Sequence, residues 1–217
     1  SKAFTGMTTG KWDMNYDTSS TSTDDSSSDS DSENSDSSSD SSSESTDSGD
    51  GANVDAEASA DNGSNNSEKV WNYFKAKGFS PASIAGILGN MYQESGVNPK
   101  SIQGNGKGPA AGIFQWENYN TKSARWANLK KFADKKNADW KDLQVQLDYA
   151  SKEMPDQNHY FTLDQDIHDI DGKEYHTDGL KGGFKDYTKM DDVKDATIRF
   201  EAAFERAGKP NIKRRVD

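Results

Sequence analysis

The chain has 217 residues, a formal net charge of −11 and no cysteine, which excludes disulfides, cysteine-based zinc sites and a thiol nucleophile. The charge is concentrated: Asp17 to Asp61 holds 14 acids and no Lys or Arg, whereas Ser64 onward holds 24 basic and 22 acidic residues. The part able to fold is therefore close to neutral, which argues against a nucleic-acid binder with its strongly basic face.

Residues 1–16 carry Phe4, Met7, Trp12, Met14 and Tyr16. They are too few for a core and read as the end of an upstream region. Residues 17–66 are a low-complexity run of Ser with Asp and Glu. Such a run has too little apolar area to offset chain entropy, and its like charges repel. It reads as a disordered acidic Ser-rich linker, a tether for the C-terminal domain. Within residues 67–217, Ser67 reads as an N-cap, with Val70, Trp71 and Phe74 at helical spacing and Gly78 just past the end. Ser80-Pro81 starts a second helix, with Ser80 as cap and Pro81 at the first helical position. Ile84, Ile87, Leu88 and Met91 form its apolar stripe. Gly86 and Gly89 weaken that helix, which implies a close neighbour at their positions. Gly96 and Pro99 end it.

A glycine-rich loop runs to Pro109, and Ala111 to Trp116 reads as a short strand. Thr121 is a candidate cap for a helix burying Trp126, Leu129, Phe132 and Ala133. A further helix from Asp139 has the stripe Leu143, Leu147, Ala150 and Met154, with Pro155 as its stop. Residues 155–190 are polar, glycine-containing and hold all three histidines. They read as an irregular excursion with a hairpin. The last full helix covers Asp192 to Ala207, with Val193, Ala196, Phe200, Phe204 and Ala207 inward. Asn211 caps a helix that the chain leaves unfinished at Asp217. We therefore expect a mainly α (α+β) domain with a small irregular β region, C-terminally truncated within a larger protein. No apolar run approaches the ~20 residues that span a membrane.

Glu94 lies three residues past Met91, so it continues the apolar stripe. Partial burial and the negative end of the helix dipole both disfavour its charged form. A carboxylic acid that holds its proton is what glycoside cleavage requires. An ordinary exposed helix-end glutamate is the competing reading.

The pair of stretches Gln93-Glu94-Ser95-Gly96-Val97-Asn98-Pro99 and Gly112-Ile113-Phe114-Gln115-Trp116 resembles the signature of the phage tail lysozymes, lysozyme-like tail lysins. More distantly it is similar to goose-type lysozymes and soluble lytic transglycosylases. Val70 to Phe74, Gly86 to Met91, and Ala196 to Gly208 fit the same family, so the likeness covers most of 67–217 except the excursion. It implies a lysozyme-like fold and cleavage of the MurNAc–GlcNAc bond of peptidoglycan. Glu94 matches the catalytic acid, and Ser95 is expected to hold it. Gln115 matches a cleft-facing glutamine, and Trp116 would offer a stacking face to a sugar ring or else sit in the core. Tyr119 and Arg125 are weaker sugar contacts, and Arg125 is better read as the partner of an acid. No second carboxylate stands out among Glu117, Asp148, Glu201 and Glu205.

The implied setting is a phage virion tail or the bacterial cell surface. The implied partners are peptidoglycan and other domains of a larger phage tail or cell-surface protein, without nucleic acid. No cofactor and no metal are expected. Asp164 to Glu174 matches a calcium loop only in part, and the histidines lack zinc-protease spacing. The alternative is a non-catalytic wall-binding module that keeps the same cleft.

Overall fold

The computed structural model describes residues 51–122 and 124–217. The region expected over 1–16 and most of the expected linker lie outside the described residues.

Helix α1 (Asn66–Ala76) starts one residue before Ser67. Asn65 is its cap, accepting a hydrogen bond from the Glu68 N–H. Helix α2 (Pro81–Ser95) starts at the Ser80-Pro81 signal, and Gly96 ends it at φ 64°. The α2 stripe is the centre of the core: Ile84, Ile87, Leu88 and Met91 are all buried. Its companions include Phe114, Leu129, Leu147, Met154, Phe200 and Phe204.

The glycine-rich loop leads to a two-stranded antiparallel hairpin, β1 (Ala110–Ala111) and β2 (Trp116–Glu117). The expected single strand is thus two strand ends joined by a tight turn over residues 112–115. Gly112 has to be glycine there. Its φ is 86°, and a Cβ would stand 2.8 Å from the Trp116 ring. Helix α3 (Ala124–Lys135) comes next, then α4 (Leu143–Asp156). Pro155 lies inside the last turn of α4, close enough to the end that one missing backbone bond interrupts little.

The 155–190 excursion is more regular than its composition implies. It forms a helical turn α5 (Asn158–Phe161), an antiparallel hairpin β3 (Gln165–His168) with β4 (Glu174–Thr177), and a second turn α6 (Phe184–Tyr187). Its Ile167 joins Ile198, Ala202 and Ile212 in a second small core.

Helix α7 (Val193–Phe200) runs on as a π-helical turn, Glu201–Glu205, closed by Arg206 at φ 49°. Ala196, Phe200 and Phe204 are buried as expected, but Val193 is exposed because it opens the first turn. Helix α8 (Ile212–Val216) ends the described chain. α2 and α7 pack closely at Gly86, where a Cβ would meet the backbone of Ala196 and Thr197 at 2.8–3.0 Å. That is the close neighbour the glycine implied.

The linker boundary needs correction. Residues 51–65 lie on the folded domain rather than forming the end of a spacer. Ala52, Val54 and Ala58 pack against the core, and Ala60 is buried. Lys77 Nζ donates to the carbonyls of Val54 (2.6 Å) and Ala56 (2.5 Å), and the Ala60 N–H donates to Gln144 (2.6 Å). The alternation of small apolar residues with polar ones from Ala52 to Ala60 supplies a buried side that the Ser/Asp repeat lacks.

Candidate active site

Glu94 lies in the last turn of α2, so its position is set by the burial of the stripe beneath it. Ser95 does not hold it. The Ser95 hydroxyl is instead within hydrogen-bonding distance of the carbonyls of Met91 (3.2 Å) and Ile113 (2.9 Å), which ties the end of α2 to the β1–β2 turn. That turn is held from the other side by Gln146 of α4. Buried Gln146 accepts from the Ile113 N–H (2.8 Å) and donates to the carbonyls of Pro99 (2.7 Å) and Trp140 (2.8 Å). Three loops therefore converge on one amide, a role its sequence position did not advertise.

Gln115 sits at φ 49° and directs its side-chain amide to the carbonyls of Gly112 (2.9 Å) and Ser101 (3.3 Å). It and Glu94 line one cavity of about 390 Å³, together with Gln93, Glu117, Arg125 and Glu205. This cavity brings together Glu94, Gln115 and the weaker candidate Arg125. Trp116 and Tyr119 lie elsewhere. Trp116 has 0% exposure, and its indole N–H donates to Glu153 (3.2 Å). It is a core residue with no open face for stacking. Tyr119 packs on Trp126 and Trp140, with ring centroids 5.1 and 5.8 Å away, and is not among the described lining residues.

Arg125 forms an ion pair with buried Glu153, which also accepts from the Tyr149 hydroxyl (2.9 Å). Asp148 is occupied away from the cavity, accepting from Tyr73 (2.7 Å) and Gln144 (2.9 Å) and pairing with Lys136 (3.0 Å).

The sequence reading omitted the partner of Glu94. Arg215 of α8 places a guanidinium nitrogen 2.6 Å from Glu94 Oε1. The same guanidinium donates to Asn90 Oδ1 (3.0 Å) and to the Pro210 carbonyl, and lies 3.9 Å from Glu201 Oε2. Arg215 is 1% exposed, so these contacts are made out of water. Glu94 thus sits beside a fixed positive charge. Glu201 and Glu205 surround the pair. Burial pushes the Glu201 carboxyl up to about 8, opposed by Arg215 and reinforced by the charge of Glu94. Burial and then the charge of Glu94 push the Glu205 carboxyl well above the ordinary range. The π turn puts both glutamates, four residues apart, on the side of α7 facing α2. π turns often occur at functional sites.

The excursion reaches this site through α8. Asp169, in the β3–β4 loop, accepts from the N–H groups of Ile212 (2.8 Å) and Lys213 (3.2 Å) and so caps the helix that carries Arg215. The same carboxylate accepts from the Ile170 N–H (2.7 Å). This carboxylate, a ligand in the calcium-loop reading, is already taken up by N–H donors. No cluster of three or more metal-binding side chains occurs among the described residues.

An acid at the end of a buried helix, beside a glutamine from a Gly-x-x-Gln turn in one cavity, is the arrangement the sequence resemblance implies. A family model described as Phage tail lysozyme matches residues 65–217. The chain belongs to the phage tail lysozyme family. Membership supports a lysozyme-like, peptidoglycan-degrading function and a phage tail setting. In this phage tail lysozyme domain the match begins at the Asn65 cap of α1 and runs through α8, so it includes Glu94, the π turn and Arg215. No described helix is long and apolar enough to cross a membrane.

Proposed function

We propose that the domain is a peptidoglycan glycosidase that cleaves the MurNAc–GlcNAc bond with Glu94 as general acid. The observation that carries this reading is that Glu94 and Gln115 line one cavity of a phage tail lysozyme domain. Gln115 fixes the glycan, and Glu94 gives its proton to the glycosidic oxygen as the bond to the anomeric carbon breaks. The carboxylate left behind is compensated by Arg215 at 2.6 Å. Glu94 then takes a proton either from water, giving hydrolysis, or from the sugar's own C6 hydroxyl, giving a 1,6-anhydro end. The acidic run upstream serves as a tether, keeping the domain near a larger tail or surface protein during local wall penetration.

The test is mass analysis of muropeptides released from purified sacculi by the wild-type chain and by Glu94→Gln. We expect release by the wild type and none above background by the variant, with melting curves confirming that both are folded. Release by the variant at the wild-type rate removes Glu94 from the mechanism. Binding to sacculi by the wild type without release makes the domain a wall-binding module. The mass of the product end separates hydrolysis from anhydro formation.

A further inference from the structure

The cleft holds a carboxyl to which proton transfer by Glu94 assigns no role. Glu205 lines the same cavity as Glu94, and its Oε1 is shut off from solvent without a hydrogen-bond partner among the described residues. Buried carboxyl oxygens are rarely left so, because an unmade hydrogen bond away from water is costly. Gln93, next to Glu94 on the same cavity wall, also has a buried and unpartnered side-chain oxygen, Oε1.

The nearby cations do not neutralise Glu205. Arg215 is bound to Glu94 and Asn90 and faces Glu201. Arg125 is bound to Glu153, and it also donates to the Phe204 carbonyl at 3.4 Å and lies over the Phe204 ring. With both guanidiniums occupied, a charge on a carboxyl buried in this wall is costly. A neutral carboxyl has one O–H to donate.

We infer that Glu205 is a second catalytic-cleft residue, a carboxyl that contacts the bound glycan as a hydrogen-bond donor. This rests on the reading of the cavity as a glycan cleft. A neutral Glu205 adds no repulsion when Glu94 becomes a carboxylate after proton transfer. It therefore anchors an acceptor of the sugar, a hydroxyl or N-acetyl oxygen, without opposing the chemistry. The upward displacement of the Glu205 carboxyl by burial is consistent with this form at neutral pH. The groups that set its titration are Glu94 on α2, Arg125 on α3, Arg215 on α8 and Glu201 on its own turn, with Glu117 of β2 on the same cavity.

The test compares Glu205→Gln, Glu205→Ala and Glu201→Gln in sacculus digestion across pH. Glutamine keeps a neutral donor, so Glu205→Gln is expected to stay within about threefold of wild type, while Glu205→Ala loses roughly tenfold in kcat/KM. The wild-type alkaline limb, set by loss of the Glu205 proton, should vanish in Glu205→Gln and persist in Glu201→Gln. Three outcomes overturn the inference: Glu205→Gln as inactive as Glu94→Gln, Glu205→Ala as active as wild type, or an alkaline limb unchanged in Glu205→Gln. If the variants do not fold, carbon NMR of glutamate carboxyls in the wild-type chain decides. Tetra-N-acetylchitotetraose should shift the protonated carboxyl resonance correlated through its side chain to the Glu205 backbone, as distinct from that of Glu201, and no such shift overturns the assignment. Failure here with wild-type cleavage intact leaves the glycosidase reading standing. A wild type that releases nothing removes that reading itself.

Discussion

The guanidinium of Arg215 lies 2.6 Å from the carboxyl of Glu94, although 121 residues separate them in the chain. The contact is held from three further directions: Asn90 on α2, the Pro210 carbonyl and, more distantly, Glu201 on the π turn. Asn90 also donates to the Gly86 and Thr197 carbonyls, so α2, α7 and α8 meet at one buried polar joint.

Removing Arg215 should therefore cost both stability and activity. Arg215→Met leaves Glu94 and Asn90 without the donor that the buried guanidinium supplies, and we expect a loss of about 3–5 kcal/mol. Arg215→Lys keeps the charge but not the planar fork, so it should recover only part of that loss. Denaturant unfolding of the three proteins measures the order. Equal stability of Arg215→Met and wild type would show that the joint contributes nothing.

Asp169 is the most remote residue expected to act on the site. Asp169→Ala removes the side-chain cap of α8 and should destabilise by ~1 kcal/mol. Sacculus cleavage should fall with it, because the cap holds the helix that carries Arg215. Backbone N–H donors, opposing the effect of burial, hold the Asp169 carboxyl below the usual range. Its contribution is thus present above the unfolded value of 3.8 and is lost as pH falls through the lower folded value. Acid unfolding of wild type and variant should begin to converge below about pH 4 and coincide once the pH is below the folded value. Parallel curves down to pH 2 would contradict this.

Trp116 separates a packing role from a binding role. Because its ring is fully buried and bonded to Glu153, Trp116→Ala should lose about 3–5 kcal/mol of stability. A sugar-stacking tryptophan predicts a different result, weaker binding of N-acetylglucosamine oligomers at unchanged stability. Melting temperature and oligomer titration on the same sample distinguish the two.

The strap over residues 51–65 predicts that the domain boundary lies upstream of α1. A chain starting at Ser64 leaves the Lys77 ammonium without the Val54 and Ala56 carbonyls and uncovers the core edge beneath Ala52, Val54 and Ala60. It should melt lower than a chain starting at Gly51. Identical melting would return residues 51–65 to the linker.

The sequence by itself determined the elements whose signals are local. The Ser80-Pro81 start, the Ile84–Met91 stripe and the Gly96 stop place Glu94 at a helix end, since 3.6-residue periodicity and capping chemistry act within a few residues. Gln115 was legible only through the family resemblance, since residues 111–116 read locally as one strand and the turn over 112–115 appears only in the fold. Only the tertiary structure decided what surrounds that carboxyl. Arg215 and Glu205 stand more than a hundred residues away and come to Glu94 through the packing of α7 and α8 against α2. Glu205, outside the Phe200 and Phe204 stripe, lines the cavity with Glu94. Trp116 and Gln146 obeyed the same logic, since one aromatic and one amide can be core or cleft: packing on α4 settled Trp116, and the loops around Ile113, Pro99 and Trp140 settled Gln146. Periodicity reports which face of a helix is buried, whereas charge pairing depends on which faces meet.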